Sequence, residues 1–138
     1  MEESTLKYWK DAGHVARRTL EAMKLELTPG KTFHEVIESA ERYIHRHGGK
    51  PAFPGTIAVN DLAAHFTTDH AINHVEGWDG EMALQKGDCV KIDVGVHIKG
   101  HIADNALTFE IGNGNEHTEQ IKAAKEARDA AIEMMHPG

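Results

Sequence analysis

Asp93 and Asp104 are the residues of this chain best placed to do chemistry. They flank Lys99-Gly100 within a stretch from Cys89 to Phe109 in which β-branched residues alternate with polar or small ones, the pattern of two strands joined by a tight turn. A two-residue loop at Lys99-Gly100 sets Ile98 opposite His101, Gly95 opposite Asp104 and Asp93 opposite Ala106, because loop length fixes hairpin register. The aspartates become diagonal neighbours on one face, roughly 7–8 Å apart at the backbone. From there two carboxylates can converge on divalent cations, and oxygen-rich sites with ions about 3.5–4 Å apart serve metal-assisted hydrolysis. Spacing alone favours a plainer alternative, two solvated strand residues. Aspartate is depleted in strands, however, and a pair on one face needs a reason.

The opposite face carries Val90, Ile92, Val94, Val96 and Ile98 from the first strand and Ala103, Leu107 and Phe109 from the second, a core-facing set. Something apolar must cover it. Ser4 to about Leu27 reads as an amphipathic helix with Leu6, Trp9, Gly13, Ala16, Leu20 and Met23 as its stripe, Trp9 among the packing residues, His14 solvated and Thr28-Pro29-Gly30 as its end. Thr32 and Glu35 form a capping box for a second helix that presents Phe33, Val36, Ile37, Ala40 and Ile44 and closes at Gly48-Gly49. His45 and His47 are too close together to share a helix face, so they read as surface residues near the helix C-terminus.

Lys50 to Val59, punctuated by Pro51 and Pro54, suits an edge or irregular strand that delivers 60–65 towards the hairpin. Taken alone, His65 is a polar loop residue. His70 and His74, four apart, could hold a transition metal from one helical turn with Asp69 or Glu76 near, but a surface loop over 68–80 is the plainer reading. Residues 84–88 form a turn, 81–91 a possible further strand, Gly112-Asn113-Gly114-Asn115 a loop, and Thr118 to Met135 a third helix with Ile121, Ala124, Ala127 or Arg128, Ala131 and Met135 as its stripe. The expected class is α+β: an antiparallel sheet with the three helices packed on its apolar face, its polar face open. Residues 1–138 make one domain, with two helices in 1–49, strands and hairpin in 50–112 and a helix in 113–138.

Composition narrows the function. A formal charge of −7 from 22 acidic and 15 basic residues argues against a nucleic-acid footprint. No apolar run is long enough to span a bilayer, which argues against a membrane partner. The single Cys89 reads as a small buried hydrophobe, and its inability to form an intramolecular disulfide suits a cytoplasmic, reducing setting.

Two motifs carry a resemblance. Lys91-Ile92-Asp93-Val94-Gly95-Val96-His97-Ile98 followed by Gly100-His101-Ile102-Ala103-Asp104 resembles the metal-binding hairpin of the type 2 methionine aminopeptidases, the archaeal and eukaryotic branch of the pita-bread metallopeptidases. Upstream, Phe53-Pro54-Gly55-Thr56-Ile57-Ala58-Val59-Asn60-Asp61-Leu62-Ala63-Ala64-His65-Phe66-Thr67 is similar to that family's F-P-x-x-x-x-V-N-x-x-A-A-H-[YF]-T signature. The likeness extends over nearly the whole chain and implies half of a pita-bread fold.

What the resemblance implies is removal of N-terminal methionine from peptides or nascent proteins. Asp93 and Asp104 match two metal ligands for a pair of divalent ions, which cobalt, manganese, iron or zinc would suit. His65 matches a histidine beside the substrate amide, Phe53 a residue lining the methionine pocket, and Asn60 supports its loop. The family takes a further histidine, two glutamate ligands and another active-site histidine from a second half, so the expectation is a half-enzyme. It would need a complementary C-terminal half, or a second copy that meets it across the open face as a homodimer. The alternative is a non-catalytic peptide- or ribosome-binding module on the same fold, which replacement of Asp93 would distinguish.

Overall fold

The computed structural model describes residues 3–68, 81–112 and 114–138. The first helix, α1, runs Glu3–Glu26 and buries Ala12, Val15, Ala16, Thr19, Leu20 and Met23. This stripe is shifted from the expected one. Leu6 and Trp9 remain 44% and 42% exposed, because the first turns of α1 meet the hairpin turn rather than the core. There Trp9 packs edge-on to His101, with ring centroids 5.3 Å apart, and Tyr8 lies at the same distance. Thr19 escapes a hydrophobicity count because it is polar, yet it is fully buried with its hydroxyl donating to the Val15 carbonyl at 2.8 Å.

Helix α2, Phe33–Arg46, starts with the expected capping box: Thr32 accepts from the Glu35 amide while the Glu35 carboxylate accepts from the Thr32 amide. Its buried residues are Phe33, Val36, Ile37, Ala40 and Ile44. His45 and His47 stay exposed, the latter stacked on Tyr43.

Among the described residues four strands form one antiparallel sheet: β1 Lys50–Pro51, β2 Thr56–Val59, β3 Cys89–Ile98 and β4 His101–Glu110. Strand β3 is central, with β1 and β2 along one edge and β4 along the other. The 50–59 segment is therefore two short strands, interrupted where Gly55 donates its amide to the Glu41 carboxylate. Residues 81–88 add no strand, only an isolated bridge between Thr32 and Ala83. At the hairpin turn Lys99 and Gly100 both have positive φ, 50° and 82°, the two-residue geometry that matches the strands' own twist. The register is the expected one, with Gly95 opposite Asp104 and Asp93 opposite Ala106.

The core lies between the apolar face of β3 and helices α1 and α2, where Val90, Ile92, Val94 and Val96 are at most 1% exposed. Helix α3, Thr118–Glu133, departs from expectation. It buries no residue and lies against β4, so among the described residues two helices, not three, cover the apolar face. Its stripe is mostly alanine methyls, too little apolar area to hold a helix on a sheet. The approach to α3 is pinned instead by the Glu110 carboxylate, which accepts the amides of Glu116 and His117 at 2.9 and 3.3 Å. Among the described residues no helix is long and apolar enough to cross a membrane.

Candidate metal centre

Asp93 projects from central β3 and Asp104 from edge β4, on the sheet face away from α1 and α2. Asp104 is exposed and Asp93 half-buried. The Asp93 Oδ1 atom is buried with no hydrogen-bond partner among the described residues. Such an orphaned acceptor is costly unless something cationic or protic meets it. The Asp93 carboxyl is pushed above the usual carboxylate range, first by burial and then by the charge of Asp104 and a hydrogen bond shared with it. Lys91 and His65 act in the opposite direction without prevailing.

This perturbation has a sign. A carboxyl that holds its proton more tightly folded than unfolded contributes stability below its unfolded pKa, and that contribution is lost as pH rises through the folded value. Asp93→Asn should therefore raise the neutral-pH melting temperature of the metal-free chain, by the equivalent of at most about 1 kcal/mol because the site is largely open to water. The difference should close below about pH 4, where both forms are neutral. Calorimetry at both pH values measures this, and an asparagine variant that melts below the parent at pH 7 would contradict it.

His65 stands in the segment between β2 and the buried Phe66, and its φ of +66° is in the left-handed region. Non-glycine residues are uncommon there and need the surroundings to hold them. Asn60, also left-handed with φ +52°, supplies one anchor. Its amide donates to the Cys89 carbonyl at 2.9 Å, its Oδ1 accepts the Cys89 amide at 2.9 Å, and its Nδ2 donates to Asp88 Oδ1 at 3.0 Å. Asn60 thus supports the loop, as expected of it. Phe66 supplies the other anchor, 1% exposed, edge-on to Phe33, with its carbonyl accepting the Ile57 amide at 2.9 Å.

Phe53 reaches the same face by lying over Gly95, the residue between Asp93 and His97 and opposite Asp104. A Cβ placed on Gly95 would fall 2.2–2.9 Å from three ring atoms of Phe53. A glycine inside a strand marks such a close approach, and that signal was available in the sequence although the partner ring was not. Phe53 also walls a cleft of about 730 Å3 against α2, lined further by Ile37, Glu41, Pro54 and Thr68.

Asp93, Asp104, His65 and Phe53 therefore share one region. His70 and His74 lie outside the described residues. Cys89 is half-buried, its thiol pushed up by burial and then by Glu110, which suits an inert side chain. Among the described residues no group of three or more His, Cys, Asp and Glu side chains could hold a metal. The donor chemistry still fits a divalent cation: two carboxylates, one with an unmet buried oxygen, are hard oxygen ligands that leave the remaining coordination positions to water or to another chain segment.

The sequence model of metallopeptidase family M24 matches residues 7–138. The chain is 38% identical to the methionine aminopeptidase of Archaeoglobus fulgidus over 138 residues, all of this chain and 44% of that protein. It is 39% identical to that of Thermococcus kodakarensis over 127 residues, 92% of this chain and 40% of that one. Among solved structures, a methionine aminopeptidase from Thermotoga maritima superposes with a TM-score of 0.82 at 24% identity, covering all of this chain and 55% of that one, a likeness of fold alone. A prolidase from Pyrococcus horikoshii gives 0.81 at 28% identity, covering 99% and 38%. The chain thus spans less than half the length of these curated relatives.

Proposed function

The chain belongs to metallopeptidase family M24, and from that premise we propose that it forms one half of a metal-dependent aminopeptidase that removes methionine from the N-terminus of peptides or nascent chains in the cytoplasm. Its fold is an antiparallel sheet with helices, consistent with half of the pita-bread architecture. One observation carries the reading: the carboxylates of Asp93 and Asp104 meet on the open face of the sheet, and a buried Asp93 oxygen there has no partner among the described residues.

Asp93 and Asp104 would hold two divalent ions, of manganese, iron, cobalt or zinc. Bound there, such ions would supply Lewis-acid polarisation of the scissile carbonyl and a water activated for attack near neutral pH. His65, set close enough to influence the Asp93 carboxyl, is a side chain available to hydrogen-bond the substrate amide. The Phe53 ring seated on Gly95 offers an apolar wall to an unbranched thioether side chain. The ligands that two aspartates leave unfilled come from a second half or from a second copy. That partner would meet this chain across the polar face of the sheet that carries the two aspartates. A two-fold arrangement of two copies would bring four aspartates together.

The test is release of methionine from a Met-Ala peptide by the 138-residue chain with cobalt or manganese, beside an Asp93→Ala/Asp104→Ala variant. Turnover at least about 100-fold higher in the parent is expected if copies complete one another, the scale of losing a core catalytic group. Equal turnover in both would overturn the assignment of the aspartates. No turnover in either would overturn completion by a second copy and leave completion by a separate half.

A further inference from the structure

We infer that Lys91 is a positioning residue that ties the loop carrying His65 to the strand carrying Asp93. The inference rests on the roles proposed above for His65 and Asp93. Lys91 lies on β3 two residues before Asp93, hence on the same face, and is flanked by Ala58 on β2 and Thr108 on β4. Its ammonium donates to the Ala63 carbonyl at 2.5 Å, across 28 positions of sequence. A lysine standing beside two aspartates would ordinarily be read as their counter-ion. Here its tip is committed to a backbone oxygen of the neighbouring loop instead.

That commitment answers a geometric need. The loop is fixed at one end by the three hydrogen bonds of Asn60 and at the other by burial of Phe66. Between them Leu62 packs partly against the core, but Ala63 and His65 are exposed, and His65 must stay in a left-handed conformation that costs of order 1 kcal/mol or more. The Lys91 hydrogen bond reaches the middle of this span from the metal-bearing strand. Because it is charge-assisted it is stronger than a neutral one, and because it begins two residues from Asp93 it makes the position of the loop follow that strand.

Backbone 15N relaxation on the whole 138-residue chain, recorded without metal, tests the tether. Residues 61–65 should have order parameters near the rigid value of about 0.85 in the parent and fall below about 0.6 in Lys91→Met. Methionine keeps the length and loses the donor. Lys91→Arg, which retains a cationic donor, should keep them high, and β3 and β4 should be unchanged in both variants. A parent loop that is already mobile, a methionine variant as rigid as the parent, or an arginine variant as mobile as the methionine one would each overturn the tether. A general loss of order that includes β3 would overturn it too, since Lys91 would then be merely structural. Because no metal is present, failure of the metal reading would show in the Mn2+ titration treated below and would leave this result standing.

Discussion

Mn2+ should raise the melting temperature of the parent chain and leave the Asp93→Ala/Asp104→Ala variant unmoved. A ligand that binds only the folded state stabilises it by RT ln(1 + [L]/Kd), about 1.4 kcal/mol at a tenfold excess over Kd, or about 4 °C for a domain of this size. Two protein carboxylates bind weakly, so millimolar metal is required, and the shift grows with the logarithm of concentration rather than saturating early. Without metal the order of the two proteins should reverse. The parent holds two carboxylates against each other, one with a buried oxygen that has no hydrogen-bond partner among the described residues, and the double variant is free of that repulsion. Melting curves at neutral pH with and without Mn2+ should therefore cross. An equal shift in parent and variant would place the ion elsewhere.

Phe66→Ala should be among the most damaging single changes in the chain, costing about 3–5 kcal/mol out of the roughly 5–15 kcal/mol that holds a domain together. Phe66 is 1% exposed and meets Phe33 edge-on with ring centroids 6.2 Å apart, so the change removes an aromatic pair as well as apolar area. It also withdraws the anchor immediately after His65. Urea denaturation measures the stability loss, and Phe66→Leu, which keeps most of the volume, should recover more than half of it. A loss below about 1 kcal/mol would mean that the site collapses onto the cavity and that Phe66 is not the loop's anchor.

Much of this arrangement is legible in the sequence because it is local. Two residues at Lys99-Gly100 set the register that puts the aspartates on one face, and Thr32 with Glu35 announces α2 within a single turn. What escapes is long-range. The buried stripe of α1 includes Thr19, whose hydroxyl is satisfied within its own helix, and it leaves Trp9 outside because the hairpin turn offers that ring a different partner. The seat of Phe53 on Gly95 joins residues whose proximity no periodicity encodes. The reach of Lys91 to Ala63 is of the same kind. A stripe of alanines gives α3 helical periodicity without enough area to bury, so its pattern suggests packing that does not form.

The unequal strands beneath the two aspartates have an effect on how the site answers its surroundings. Asp93 rides on a strand laddered on both sides and Asp104 on one that, among the described residues, is laddered on a single side, so the backbone beneath Asp93 is held by more hydrogen bonds than that beneath Asp104. A protein segment that pairs with the outer edge of β4 would still Asp104 and lower the entropy an arriving cation must remove. An ion already held between the carboxylates would in turn stiffen that edge for the segment. Such coupling is reciprocal by thermodynamic necessity: whatever factor the segment adds to the cation's affinity, the cation adds to the segment's, so assembly of the chain and loading of its site would be one event read in two ways.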